Sequence, residues 1–110
     1  HTDMSFINSR VKNEYYIYIV GSSSGTLYIG VTSDIQRRMF EHKKGVYAGF
    51  TKKYKCNKLL YYEVYNDIEE AIRREKTIKG WKRFKKENLI KIDNSGWKDL
   101  ANDWFLNKKT

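Results

Sequence analysis

The chain has no proline, one cysteine and two histidines in 110 residues. The lack of proline excludes a Pro-rich stalk or linker, which depends on that residue's fixed φ. Cys56 has no second cysteine to pair with, so an internal disulfide is impossible and a reducing, cytoplasmic setting is expected. One cysteine and two histidines are also too few for a Cys/His zinc site. Apolar runs are short. The longest, residues 15–20 and 59–62, are strand-sized and far below the roughly 20 residues of a membrane span. Acidic residues are scarce beside basic ones, 13 against 22, giving a net charge of +9. What is present is 40% hydrophobic and 15% aromatic, enough for a core, which excludes a disordered basic tail. The length suits one domain. His1-Thr2-Asp3, ahead of Met4, read as an expression scar, residues 4–14 as an N-terminal extension, 15–105 as a single domain and 106–110 as a tail.

The positive charge is concentrated. Residues 36–58 hold Arg37, Arg38, Lys43, Lys44, Lys52, Lys53, Lys55 and Lys58 against Glu41 alone. Residues 79–91 hold Lys79, Lys82, Arg83, Lys85, Lys86 and Lys91 against Glu87. Together the two segments carry more than the whole net charge, leaving a weakly acidic remainder. A single Lys-rich helix is ordinarily a solvated face. Two such patches favour a polyanion, because clustered cations displace condensed counterions from a phosphate backbone. Lys43, Lys44, Lys52, Lys53, Lys79, Lys82, Arg83, Lys85 and Lys86 are the candidate contacts. Neither patch forms a clean amphipathic helix with an exposed aromatic face, so nucleic acid is favoured over an anionic membrane.

Residues 15–20 and 27–31 are β-branched and aromatic, and Gly21-Ser22-Ser23-Ser24-Gly25 between them predicts a hairpin loop. Alternation sets Tyr16 and Tyr18 on one face of the first strand and Tyr28 and Gly30 together on one face of the second. Pairing Val20 with Thr26 would set Tyr18 opposite Tyr28; a one-residue slip would separate them. Ser33 followed by Gln36 predicts a capping box, with Ile35 and Met39 as the apolar stripe and Arg38 and His42 stacked beside it. Residues 46–57 read as a long basic loop, and 59–65 as a third strand.

Asp67 is the expected cap of a second helix whose apolar face is Ile68, Ala71, Ile72 and Ile78. Glu75 falls inside that face. A carboxylate there breaks the binary pattern, and such breaks gather at functional sites, although a Glu that pairs with a nearby cation gives the same pattern. Gly80-Trp81 ends this helix, residues 82–92 predict a basic third helix, and 97–105 predict a short last one. Trp81, Trp97 and Trp104 read as core or helix-docking residues rather than base-stacking platforms.

Two phenols on one sheet face, a glycine beside them, a cation and an imidazole on one helix, and a misplaced carboxylate form one constellation: Tyr18, Tyr28, Gly30, Arg38, His42 and Glu75. With it the sequence resembles the GIY-YIG nuclease superfamily. Tyr16-Ile17-Tyr18 stands at the first motif and Tyr28-Ile29-Gly30 matches the second. Arg37-Arg38, Glu41-His42, Glu70-Ala71-Ile72-Arg73-Arg74-Glu75, Ile78-Lys79-Gly80-Trp81 and Trp97-Lys98-Asp99-Leu100 look like the small stand-alone members, which are similar to the nuclease domain of the bacterial excinuclease.

The resemblance implies an α+β fold, a three-stranded antiparallel sheet flanked by helices. It also implies hydrolysis of DNA phosphodiesters with one Mg²⁺ or Mn²⁺ ion. By position Glu75 would hold the metal, Tyr18 and Tyr28 would line the attacking water, Arg38 would hold the scissile phosphate, and His42 would stand where some members have Tyr. The general base is open among Tyr18, Tyr28 and His42. Asn88 and Asn94 compete for the family's distal Asn. Tyr16 replaces the first motif's Gly, and Val31 replaces a Lys of several members. The alternative is a silent nucleic-acid-binding module of the same fold. Sequence selectivity would come from a protein partner or an oligomer.

Overall fold

Residues with strong β preference fall early in the chain, and they build the centre of the sheet. A computed structural model describes residues 14–44 and 55–105. In chain order its elements are β1 (Tyr15–Gly21), β2 (Leu27–Thr32), α1 (Ile35–Lys44), β3 (Lys58–Tyr65), α2 (Ile68–Lys79) and α3 (Arg83–Asp93). The strands form one antiparallel sheet in the order β2-β1-β3, the α+β architecture expected. Lys52, Lys53, the N-terminal scar, nearly all of the N-terminal extension and the tail lie outside the described residues. No described helix is long and apolar enough to cross a membrane.

Central β1 is covered on both faces, so Ile17 to Val20 are all buried rather than alternating. Ile17 and Ile19 pack with Ile29, Leu60 and Tyr61 under Ala71 and Ile78 of α2 and Ile90 of α3. Tyr18 and Val20 pack with Leu59 under Ile35 and Met39 of α1 and with Ala101 of the C-terminal segment. The sheet is thus sandwiched between α1 and the α2–α3 pair.

Four sequence expectations are corrected in detail. Tyr18 pairs with Gly30 and Val20 with Tyr28, two residues from the expected register. A slip of two keeps every side chain on its face, so the phenols still share one. The cap of α1 is Asp34 and not the Ser33–Gln36 box: Asp34 Oδ1 accepts from Arg37 N at 3.1 Å, and Thr32 Oγ1 accepts from Asp34 N. At α2, Asp67 stands at the cap position, but its side chain makes no capping bond.

The expected helix over 97–105 is a series of turns. Asn102 N and Trp104 N donate three residues back, to Asp99 O and Ala101 O. The cause is local competition. Asp99 Oδ1 takes both Ala101 N and Leu59 N, while Leu100 N donates to Leu59 O, so the segment is tied to β3 rather than to itself.

Candidate active site

The site starts from a missing side chain. A Cβ on Gly30 would stand 2.5 Å from Tyr18 Oη and 2.6 Å from its Cζ, so only glycine opposite Tyr18 lets the ring lie across β2. That ring is almost wholly buried. Its hydroxyl meets His42 Nε2 at 3.3 Å. Tyr28 completes a three-ring cluster, with centroids 6.5 Å from Tyr18 and 6.1 Å from His42. His42 reaches the cluster because it lies on the buried side of α1, one turn beyond Arg38. Glu41 holds the Arg38 guanidinium at 3.5 Å and that of Arg37 at 3.3 Å.

Burial sets the protonation states. Tyr18 is pushed up to about 12, first by desolvation and then by Tyr28, with Arg38 acting against both. His42 is brought down to about 4, first by burial and then by Arg38. At neutral pH a protonated phenol therefore faces a neutral imidazole, and the imidazole tautomer sets which of the two donates.

Glu75 comes from the opposite helical layer. Its side chain is 12% exposed and is paired at 2.6 Å with Lys79 one turn on. Lys79 Nζ in turn stands 6.0 Å from the centroid of Tyr28. Since α2 covers the Ile17–Ile19 face and Tyr28 lies with Tyr18 on the other, the Glu75–Lys79 pair meets Tyr28 past the free edge of β2. Tyr18, Tyr28, His42 and Glu75 are thus linked through contacts, with Arg38 beside Tyr18. Lys79 stands between Glu75 and the Tyr28 ring, where the charge pattern alone had pointed only to nucleic-acid binding. The Glu-to-Lys spacing of four on one helix face was the available signal.

Other candidates have structural partners. Lys43 is ion-paired with Asp99 and donates to Asn57 O, clamping the C-terminal segment. Lys44 lies over the ring of Phe40 and Lys85 over that of Trp81. Arg83 pairs with Glu87, and Lys82 occupies the cap position of α3. Asn94 is buried and spends its amide on Leu60 O, Lys98 O and Lys98 N, whereas Asn88 is exposed. Trp81 and Trp97 pack against one core cluster and Trp104 against the other.

The residues present fit a single hard cation held mainly from outside the protein. Among the described residues no three His, Cys, Asp or Glu gather into a cage. Glu75 offers one partly exposed carboxylate, and Mg²⁺ is commonly held by one or two carboxylates completed by waters and substrate phosphate. Lys79 already pairs with that carboxylate at 2.6 Å, so a cation there would have to share or displace the ammonium.

The family model for the GIY-YIG catalytic domain matches residues 14–88. A UPF0213 protein of Staphylococcus saprophyticus is 40% identical over 78 residues, covering 71% of this chain and 95% of that protein. A UPF0213 protein of Staphylococcus aureus is 39% identical over 79 residues, covering 72% and 96%. The solution NMR structure of a UPF0213 protein from Bacillus halodurans matches with a TM-score of 0.53 at 29% identity, covering 82% of this chain and 95% of that one.

Proposed function

The chain belongs to the GIY-YIG family, a family of nuclease type, and from that premise we propose that it is a divalent-metal-dependent endonuclease that hydrolyses DNA phosphodiester bonds. The observation that carries the reading is that Lys79, ion-paired with the largely shielded Glu75 carboxylate, reaches the Tyr18–Tyr28–His42 ring cluster from the opposite helical layer. A water attacking phosphorus gives its proton to the Tyr18 oxygen as Tyr18 gives its own to His42 Nε2. A phenol near 12 is a poor base by itself; coupling it to a neutral imidazole removes the need to form a free phenolate. Arg38, beside Tyr18, donates two parallel hydrogen bonds to the scissile phosphate and stabilises its growing charge. Tyr28 walls the water, and Lys79 steadies both Tyr28 and Glu75. Glu75 would hold a Mg²⁺ or Mn²⁺ ion, which when bound would supply Lewis-acid polarisation of the phosphoryl oxygen.

The test is nicking of supercoiled plasmid with and without Mg²⁺ or Mn²⁺, beside Glu75→Gln and Arg38→Ala. The wild type nicks only with metal. Both variants lose at least a hundredfold in rate while retaining DNA in a gel-shift assay. Equal rates in wild type and Glu75→Gln would trace the activity to a contaminant. Retention without nicking under either metal would select the binding-module reading.

A further inference from the structure

A second concave feature lies outside the site. The β1–β2 hairpin and the first turn of α3 enclose a cleft of about 410 Å³ lined by Ser24, Gly25, Thr26, Leu27, Arg83 and Lys86. Every polar side chain in this lining is a hydroxyl or a cation, and no carboxylate lines it. The hairpin wall is fixed by its own bonds. Gly25 N donates to Ser22 O, Ser22 Oγ accepts from Thr26 N, and the Ser22 and Ser24 hydroxyls are 2.9 Å apart. Gly25 has a φ of 95°, which only glycine adopts without strain, and even a bare Cβ there would stand 3.6 Å from the Arg83 guanidinium. The opposite wall carries two cations, Arg83 and Lys86, and α3 has no acid in its first turn. Arg83 is paired with Glu87 one turn on, outside the cleft lining.

The position of the cleft relates it to the site. Leu27 lines the cleft and packs on the α2–α3 face, whereas Tyr28, the next residue, turns to the ring cluster on the other. The cleft and the ring cluster come together at the β2 edge, where Lys79 of α2 reaches the Tyr28 ring. Lys79 beside Tyr28 and Arg83 in the cleft are likewise only four residues apart. The geometry points to a phosphate subsite: Ser24, Thr26, Arg83 and Lys86 hold a phosphodiester group of the nucleic acid flanking the one at Tyr18 and Arg38. The subsite rests on the nucleic-acid part of the reading above and not on its cleavage step.

The test therefore uses the Glu75→Gln protein without metal, so that cleavage plays no part. Duplex affinity is measured by fluorescence anisotropy across a salt series. Replacing both Arg83 and Lys86 by Met makes the plot of log K against log salt shallower by about 1, the change for one lost phosphate contact. Ser24→Glu, which puts a carboxylate into the cleft from the hairpin side, weakens binding severalfold, whereas Lys98→Met, outside both basic segments, leaves the slope unchanged. In a parallel amide NMR titration a short oligonucleotide shifts Gly25 and Thr26 at micromolar concentrations, and inorganic phosphate shifts the same amides only at millimolar ones. An unchanged slope in the double variant, or oligonucleotide shifts at Tyr28 and Lys79 that spare Gly25 and Thr26, overturns the subsite. Shifts with inorganic phosphate alone would make it a free-phosphate site and overturn it equally. Absence of nicking in the wild type, with these binding results intact, would remove the nuclease reading and leave the subsite standing.

Discussion

Gly30 and His42 show how single positions set the site. A strand glycine ordinarily weakens its strand, and Ala in its place commonly adds about 0.5–1 kcal/mol. Here the added methyl meets a rigid, 1% exposed Tyr18 ring that has nowhere to move. Gly30→Ala is therefore expected to lose about 1–3 kcal/mol in urea unfolding, as overpacked cores do, and to break the Tyr18–His42 contact. A variant as stable as the wild type would show that the ring has room. His42 carries a pH signature. An unfolded imidazole titrates near 6.5 and the folded one near 4, so between those values the unfolded chain binds a proton that the folded chain refuses. The stability due to neutral His42 is complete above about pH 6.5 and is lost as pH falls toward 4, on the order of 2 kcal/mol. His42→Gln should flatten the decline in unfolding free energy between pH 7 and 4.5 by about that amount relative to the wild type. Identical pH slopes would show that His42 titrates as an exposed imidazole. Tyr18, Tyr28, Arg38, His42 and Glu75 were all legible as exceptions to local rules: phenols aligned by a period of two, a cation and an imidazole one turn apart, a carboxylate on an apolar stripe. Lys79 was not, because a lysine at a helix end breaks no rule and its meaning comes only from the ring it stands over.

Elements were legible where one periodicity ruled and illegible where a side chain overrode it. The strands and the three helices follow from β-branched and 3.6-residue patterns. The kink in the β1–β3 ladder does not. Val20 pairs with Leu59 and Ile19 with Tyr61, leaving Leu60 as an extra residue, and the consecutive Leu60 and Tyr61 thereby join the same core cluster. Nor did the sequence expose the joint between α2 and β3. Glu63 accepts two hydrogen bonds from Arg74 and one each from Tyr61 and Tyr65, while Arg74 lies over the ring of Trp81. Burial alone would raise the Glu63 carboxyl, but these four donors outweigh it and hold it below its usual range. Removing the guanidinium leaves that carboxylate half-buried with phenols alone. Arg74→Ala should lose about 2 kcal/mol, less than the 3–5 typical of a fully buried pair because both partners keep some water. Glu63→Gln combined with Arg74→Met should lose less than the two single changes added together, since neither partner is then left charged. Strict additivity in that cycle would show that the pair is uncoupled.

For the molecule as a whole, the decisive feature is that positive charge is gathered without a helix face to present it. Lys79, Lys82, Arg83, Lys85 and Lys86 fall within eight residues that end one helix and begin the next. A groove-reading helix spreads its contacts along one face over several turns, so that side chains reach base edges; a knot of cations at a helix–helix joint reaches phosphates instead. On the proposed reading, selectivity from base contacts is accordingly small, and affinity for DNA comes from counterion release. With Arg83 and Lys86 sharing one phosphate and the other three cations meeting one each, about four are neutralised, and retention of a duplex should fall on the order of 10²-fold between 50 and 200 mM salt. Duplexes of unrelated sequence should compete within severalfold of one another, because a phosphate contact is the same at every step. Competition anisotropy with a panel of such duplexes measures both. A single sequence preferred by more than tenfold, or retention indifferent to salt, would mean that the chain reads bases by some route other than its charge.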